Sequence, residues 1–215
     1  MTTEPDHDCS LCPRLRGFVL ENRRVFPDWH NGPVETLYPP EGASSVELLI
    51  VGLAPGLRGA NRTGIPFIGD NSGGLLYETL GKQGLAELPP QAEAAGRPHL
   101  NATAITNAVR CVPPENRPVG AEINTCRKFL AATIRQLGKL NVIVTLGKIS
   151  HDSTVRALGG KLSQHPFGHA AETRIDGISV LSSYHCSRYN INTGRLTPDM
   201  FDAVFENAKR SLIAS

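Results

Sequence analysis

Four short apolar runs rich in β-branched residues punctuate the chain: VELLIVGLAP (46–55), NATAITNAVRC (101–111), NVIVTLG (141–147) and ISVLSSYH (178–185). Each is nearly continuous in apolar character across its centre, as strands buried on both faces are. Helical patterns lie between and after them. GGLLYETLGKQGLAEL (73–88) places Leu75, Leu76, Thr79 and Leu80 along one face, and GAEINTCRKFLAATIRQLGKL (120–140) spaces Ile123, Phe129, Leu130, Ile134 and Leu137 as a helix would. A shorter helix is expected over 149–158. The last, LTPDMFDAVFENAKRSLI (196–213), opens with Thr197 as N-cap and Pro198 at the first helical position. Strand alternating with helix predicts an α/β fold: a three-layer α/β/α sandwich around a central, mainly parallel sheet of four strands. One domain over residues 1–215 is expected, with 1–45 an N-terminal arm. Ligands in such sheets bind at the carboxyl ends of the strands.

Composition narrows the class. The 215 residues are 40% apolar and 20% charged, ordinary globular usage, and no apolar run approaches the length of a membrane span. The start, MTTEPDHDCSLC, is acidic and polar and does not read as a signal peptide. A formal charge of +2 permits a nucleic-acid partner without demanding one. The 21 Gly and 16 Pro predict long ordered loops.

Three loops follow strand ends and carry chemistry. GLAPGLRGANRTGIPFIGDNSG (52–73) holds six glycines and two prolines in 22 residues, yet matches neither phosphate-loop spacing. Phe67 within it is either packing or a stacking surface for a flat ligand. In ITNAVRCVPPENRP (105–118), Asn107 is either a turn former or a reader of a nucleobase edge, since its amide offers a donor and an acceptor side by side. In SSYHCSRYNINTGRLTPDMF (182–201), His185 stands at the strand end, followed by Ser187, Arg188, Asn190 and Arg195, a set able to grip phosphates.

Five cysteines in a chain without an export signal point away from disulfides. Cys9 and Cys12 form a C-x2-C pair, and Cys111 and Cys126 are separated by 14 residues. Four thiolates suit zinc or an iron–sulfur cluster, and the long second spacing suits zinc less.

These segments together resemble the uracil-DNA glycosylase superfamily, in particular its iron–sulfur branches. The C-x2-C start, the ITNAVRC strand end and Cys126 are similar to the cluster frame of the A-type (family 4) and B-type (family 5) enzymes. GLAPGLRGANRTGIPFIGD and SYHCSRYNINTGRLTPDMF resemble the two B-type motifs, as do VFPDWHNGPV and GGLLYETLGKQGL. The similarity runs from about Cys9 to Phe201. It implies a monofunctional DNA repair glycosylase that flips uracil, and other deaminated bases such as hypoxanthine, from double-stranded DNA and hydrolyses the N-glycosidic bond. It further implies a structural [4Fe-4S] cluster on Cys9, Cys12, Cys111 and Cys126, no diffusible cofactor, and a cytoplasmic monomer. Phe67 would stack on the base, Asn107 would read its edge, Gly52, Leu53, Ala54 and Gly56 would line the pocket, and His185 would stabilise the departing base. The acids that other branches carry in the first motif are replaced here by Leu53 and Ala54. Asn61, Asn107 and Asp70 are the candidates to position water, although Asp70 also suits a cap for a helix from Ser72. Arg62, Arg188 and Arg195 are phosphate-contact candidates. Cys186 replaces the usual Pro after the His, and no insert of the covalently trapping relative is present. The rival readings are a weakened damaged-DNA-binding relative and a nucleoside or nucleotide hydrolase.

Overall fold

The computed structural model describes residues 2–87 and 97–213. Along the chain it contains α1 (Pro13–Val25), β1 (Leu48–Gly52), α2 (Ala60–Thr63), α3 (Asn71–Lys82), β2 (Ala86–Glu87), β3 (His99–Leu100) and β4 (Thr103–Asn107). There follow α4 (Gly120–Gln136), β5 (Val142–Leu146), α5 (Lys148–Ala157), β6 (Glu172–Ile175), β7 (Ile178–Ser183), α6 (Arg188–Asn192) and α7 (Pro198–Ile213).

The main sheet has the order β4-β1-β5-β7-β6. Its first four strands are the four predicted apolar runs, and they pair in parallel. The expected count of four is corrected to five by β6, which pairs antiparallel with β7 at the edge. Its sequence, ETRI, is half solvent-exposed and so lacks a continuous apolar signature. The Asp176-Gly177 turn, with φ of 50° and 81°, has the left-handed conformations of a two-residue hairpin, and that dipeptide was a readable signal. β2 and β3 form a separate small antiparallel pair.

Alternate strand residues face opposite helical layers, as a period of two requires. Leu48, Ile50, Val142, Val144 and Leu181 pack with Leu76 and Leu80 of α3 and with Phe201, Val204 and Phe205 of α7. Leu49, Val51, Ile143 and Val180 pack on the other side with Leu130 and Ile134 of α4 and Val155 of α5. The three-layer arrangement follows directly. The helix expected over 73–88 is shorter, and Leu88 lies outside the described residues. Gly84 takes φ 69°, and Leu85 N–H donates to the Leu80 carbonyl at 2.8 Å, a glycine-closed helix end. The expected arm contains α1, which buries Leu15, Val19 and Asn22. Pro13 starts it and Arg23 and Arg24 end it, so both terminal signals stand in the sequence. Among the described residues no helix is long and apolar enough to cross a membrane.

Candidate active site

β1 and β4 are neighbours in register, with Gly52 opposite Asn107, so their carboxyl ends deliver two loops to one place. The Ala108 and Val109 N–H groups extend the pairing, donating to the Gly52 and Leu53 carbonyls at 2.9 and 3.0 Å. Gly52 is required by its surroundings. A Cβ there would overlap Asn107 Oδ1 and lie 2.7 Å from Phe67 Cζ. Asn107 and Phe67 are both buried, at 3% and 7% exposure. Phe67 has φ 61°, a left-handed conformation costly for a bulky residue, and such strain concentrates at functional sites. Tyr77 Oη donates to the Pro66 carbonyl at 2.8 Å and anchors that turn.

His185 enters from β7. Its ring centroid is 6.4 Å from that of Phe67, with 26° between the planes. Gly147, at the end of neighbouring β5, has φ 94° and lies against His185 Cβ. The walls around the imidazole desolvate it and push its pKa down to about 4, so it is neutral at pH 7. Asn190 Nδ2 donates to the His185 carbonyl at 2.8 Å, and Ser187 caps α6 by accepting from Asn190 N–H at 3.4 Å. These two predicted phosphate contacts thus also hold the His185 loop in shape.

A cleft of about 290 Å³ opens beside His185, lined by Leu53, Phe167, Tyr184, Asn190, Arg195 and the start of α5. Phe67 and Asn107 are not among its lining residues. Arg195 lies over the Tyr184 ring, 4.6 Å from its centroid, and His169 stacks beneath at 4.9 Å. Arg188 and Tyr189 are exposed on α6, Tyr189 at 73%. Sequence reasoning misses Tyr184 and Phe167. The signal for Tyr184 is its place immediately before His185. Phe167 lies in irregular chain between α5 and β6 and offers none.

Asp70 is the N-cap of α3. Its Oδ1 accepts from Ser72 N–H and Gly73 N–H, each at 3.0 Å. Oδ2 faces the glycine-rich loop, where a Cβ on Gly59 or Gly56 would lie 2.7 or 3.3 Å from it. Burial raises the Asp70 pKa, opposed by the two backbone N–H bonds. Asn61 is placed differently. It is fully buried in α2, and its Nδ2 donates to Asn31 Oδ1 at 2.9 Å, while its Oδ1 is buried without a partner. The amide ties the first loop to the 27–34 segment and does not reach the cleft. Arg62 is exposed on that loop, its Nε donating to the Arg58 carbonyl at 2.9 Å. Cys186 is fully buried in the core with Leu181 and Phe201.

Cys9, Cys12, Cys111 and Cys126 line one small pocket with Val109 and Phe129, and all four are free thiols. Cys126 Sγ accepts from Arg110 N–H at 3.3 Å. Burial, together with repulsion among the cysteines, pushes the Cys111 and Cys126 thiols up to about 12 and 11. Burial raises Cys12 as well. Cys12, Cys111 and Cys126 thus resist ionisation unless a cation sits among them. Among the described residues no three Cys, His, Asp or Glu side chains converge tightly enough for a single ion. Four free thiols on one pocket are the donor set that suits an iron–sulfur cluster. Ala54, Cys12 and Cys111 all pack against the buried cluster of Leu15, Val109, Cys126 and Phe129, so the first loop abuts the core beneath this pocket.

Residues 39–209 match the family model of the uracil DNA glycosylase superfamily. The chain belongs to that superfamily. A type-5 uracil-DNA glycosylase of Thermus thermophilus is 40% identical over 94% of this chain and 93% of its own length. One from Mycobacterium tuberculosis is 40% identical over 94% of this chain and 77% of its own. A type-4 uracil-DNA glycosylase of Pyrobaculum aerophilum is 32% identical over 66% of each chain. In this superfamily member the matched span holds every strand of the main sheet and the three strand-end loops, whereas α1 and the N-terminal cysteine pair lie outside it.

Proposed function

We propose that the chain is a monofunctional glycosylase that flips uracil out of double-stranded DNA and hydrolyses its N-glycosidic bond, leaving an abasic site. The convergence of Phe67, Asn107 and neutral His185 at one end of the sheet carries this reading. A base inside a duplex is inaccessible, so it must be extruded and read on its edge and face. Phe67 offers the face contact and Asn107 the paired donor and acceptor. Gly52, Leu53, Ala54 and Gly56 supply a backbone wall with little side-chain bulk at its two glycines.

Cleavage develops positive charge on the sugar and negative charge on the departing base. A neutral imidazole donates a hydrogen bond to the base oxygen and strengthens as that charge grows. Asp70 Oδ2, turned toward the glycine-rich loop, stabilises the sugar cation and orients water. Asn107 assists, and Asn61 supports the loop from behind. Without an acid at positions 53 and 54, the pocket is compatible with other deaminated bases such as hypoxanthine. Arg195 and Asn190 line the cleft, and exposed Arg188 and Arg62 with Ser187 are the further groups assigned to backbone phosphates in this reading.

Cys9, Cys12, Cys111 and Cys126 would hold a [4Fe-4S] cluster, which when bound supplies the positive charge these sulfurs need and cross-links the arm to the loop after β4. No step of the reaction needs it. The protein acts as a cytoplasmic monomer in this reading. Matched duplexes containing uracil, hypoxanthine or no lesion, treated with alkali after incubation, test it. Strand cleavage only at lesions is expected. No cleavage with retained DNA binding would favour a weakened binding relative, and release of base from free nucleosides alone would favour a nucleoside hydrolase.

A further inference from the structure

Among the described residues Arg110 is the bulkiest side chain that is fully buried. Its Nη1 donates to Glu4 Oε2 at 2.6 Å and to Thr36 Oγ1 at 2.9 Å, and its Nη2 donates to Thr133 Oγ1 at 3.0 Å. Nε is buried without a partner. The one carboxylate bonded to this cation therefore comes from the fourth residue of the chain. Glu4 Oε1 accepts in turn from Thr36 Oγ1 at 2.6 Å and Thr36 N–H at 3.3 Å. Thr133 Oγ1 also reaches the Thr3 carbonyl at 3.3 Å, and Pro5 continues into the wall of the cysteine pocket.

The positions of the two partners give the pair its meaning. Arg110 is the residue before Cys111, three after Asn107, and its own N–H bonds Cys126 Sγ. Glu4 precedes Cys9 by five residues. The ion pair and the cysteine pocket thus clasp the same two segments at neighbouring points. A buried guanidinium losing its partner is strongly unfavourable, so this clasp is selective for the seated arm.

We propose that Glu4 and Arg110 are positioning residues that seat the N-terminal arm, so that Cys9 and Cys12 face Cys111 and Cys126 independently of what those cysteines bind. The iron readout below rests on the cluster reading above, whereas the exchange readout does not.

The test compares E4A, the double variant E4A/R110M and D8A with the unaltered protein as purified. Asp8 pairs with Arg16 and Arg23 on the same arm but is exposed, and such pairs contribute little. Two quantities are measured: iron loss to a chelator, followed by visible absorbance, and amide exchange of residues 2–12. In E4A both become about tenfold faster, the scale seen when partners of metal ligands are removed. In D8A neither changes by as much as about threefold, as weak exposed pairs imply. E4A/R110M regains melting temperature, because no charge is stranded, but keeps the fast iron loss and fast exchange. Unchanged exchange in E4A overturns the proposal, as does equal loosening in D8A. Recovery of exchange together with melting temperature in the double variant reduces the pair to fold stability and also overturns it. Purified protein without iron would refute the cluster reading, while the exchange comparison would still decide the anchor.

Discussion

The rings of Phe67 and His185 face each other across 6.4 Å, tilted by 26°, although they are carried by loops from opposite ends of the sequence. Their meeting depends on β1 and β7 running parallel on either side of β5, so that their carboxyl ends open on the same edge of the sheet. Phe67 reaches the place by a left-handed turn, and His185 by direct continuation of β7.

In the proposed reaction, replacing His185 with Ala removes the donor that meets charge on the departing base. A fall in kcat of about 10²–10³-fold is expected, with duplex binding retained, as for loss of one donor at a developing anion. Single-turnover base release and a binding titration check this. Full activity of the variant would remove His185 from the reaction.

Asp70 caps α3, and substitution separates that cap from the role in water positioning proposed for it. Asn caps helices as well as Asp does, whereas Ala costs about 1 kcal/mol of cap stability. D70N is therefore expected to keep the melting temperature and lose base release, and D70A to lose both. A D70N protein with unaltered turnover would confine Asp70 to the cap of α3.

Gly52 tolerates no side chain in this arrangement. In G52A the new Cβ overlaps Asn107 Oδ1 and presses on Phe67, and crowding of this kind costs about 1–3 kcal/mol. A folded protein with strongly raised KM is expected, because base-edge and base-face contacts shift together. Steady-state kinetics beside circular dichroism separate that from unfolding.

The His185 pKa also shapes stability against pH. Burial lowers it from 6.5 to about 4. The unfolded chain takes up this proton below pH 6.5 and the folded protein does not, so the stability is complete above 6.5. It declines as pH falls toward 4, by about 3 kcal/mol in all. In H185Q the slope of unfolding free energy between pH 4 and 6.5 is expected to flatten, as read from denaturant melts. An unchanged slope would mean the imbalance lies at other groups.

Four of the five strands of the main sheet were legible because both their faces are buried, which writes a continuous apolar run into the chain. β6 was not, because an exposed edge strand needs no such run, and its Asp176-Gly177 turn was the remaining clue. Helix α3 was placed, but its end was decided by Gly84 and the Leu85 bond back to Leu80, where residues to Leu88 had looked equally helical. Phe67, Asn107, His185 and the four cysteines stood out in the sequence because each is a chemically loaded residue beside a strand end or a paired spacing. Asn61 looked equally loaded there, and only packing against Asn31 shows that its amide faces inward. The Glu4–Arg110 pair was invisible in advance, since 106 residues separate its partners and nothing local distinguishes a buried arginine from a solvated one. Periodicity records which faces are buried, and so the chain alone specified the layers and the strand ends that bear chemistry. Which side chains meet across those layers depends on long-range closure, and that came only with the folded structure.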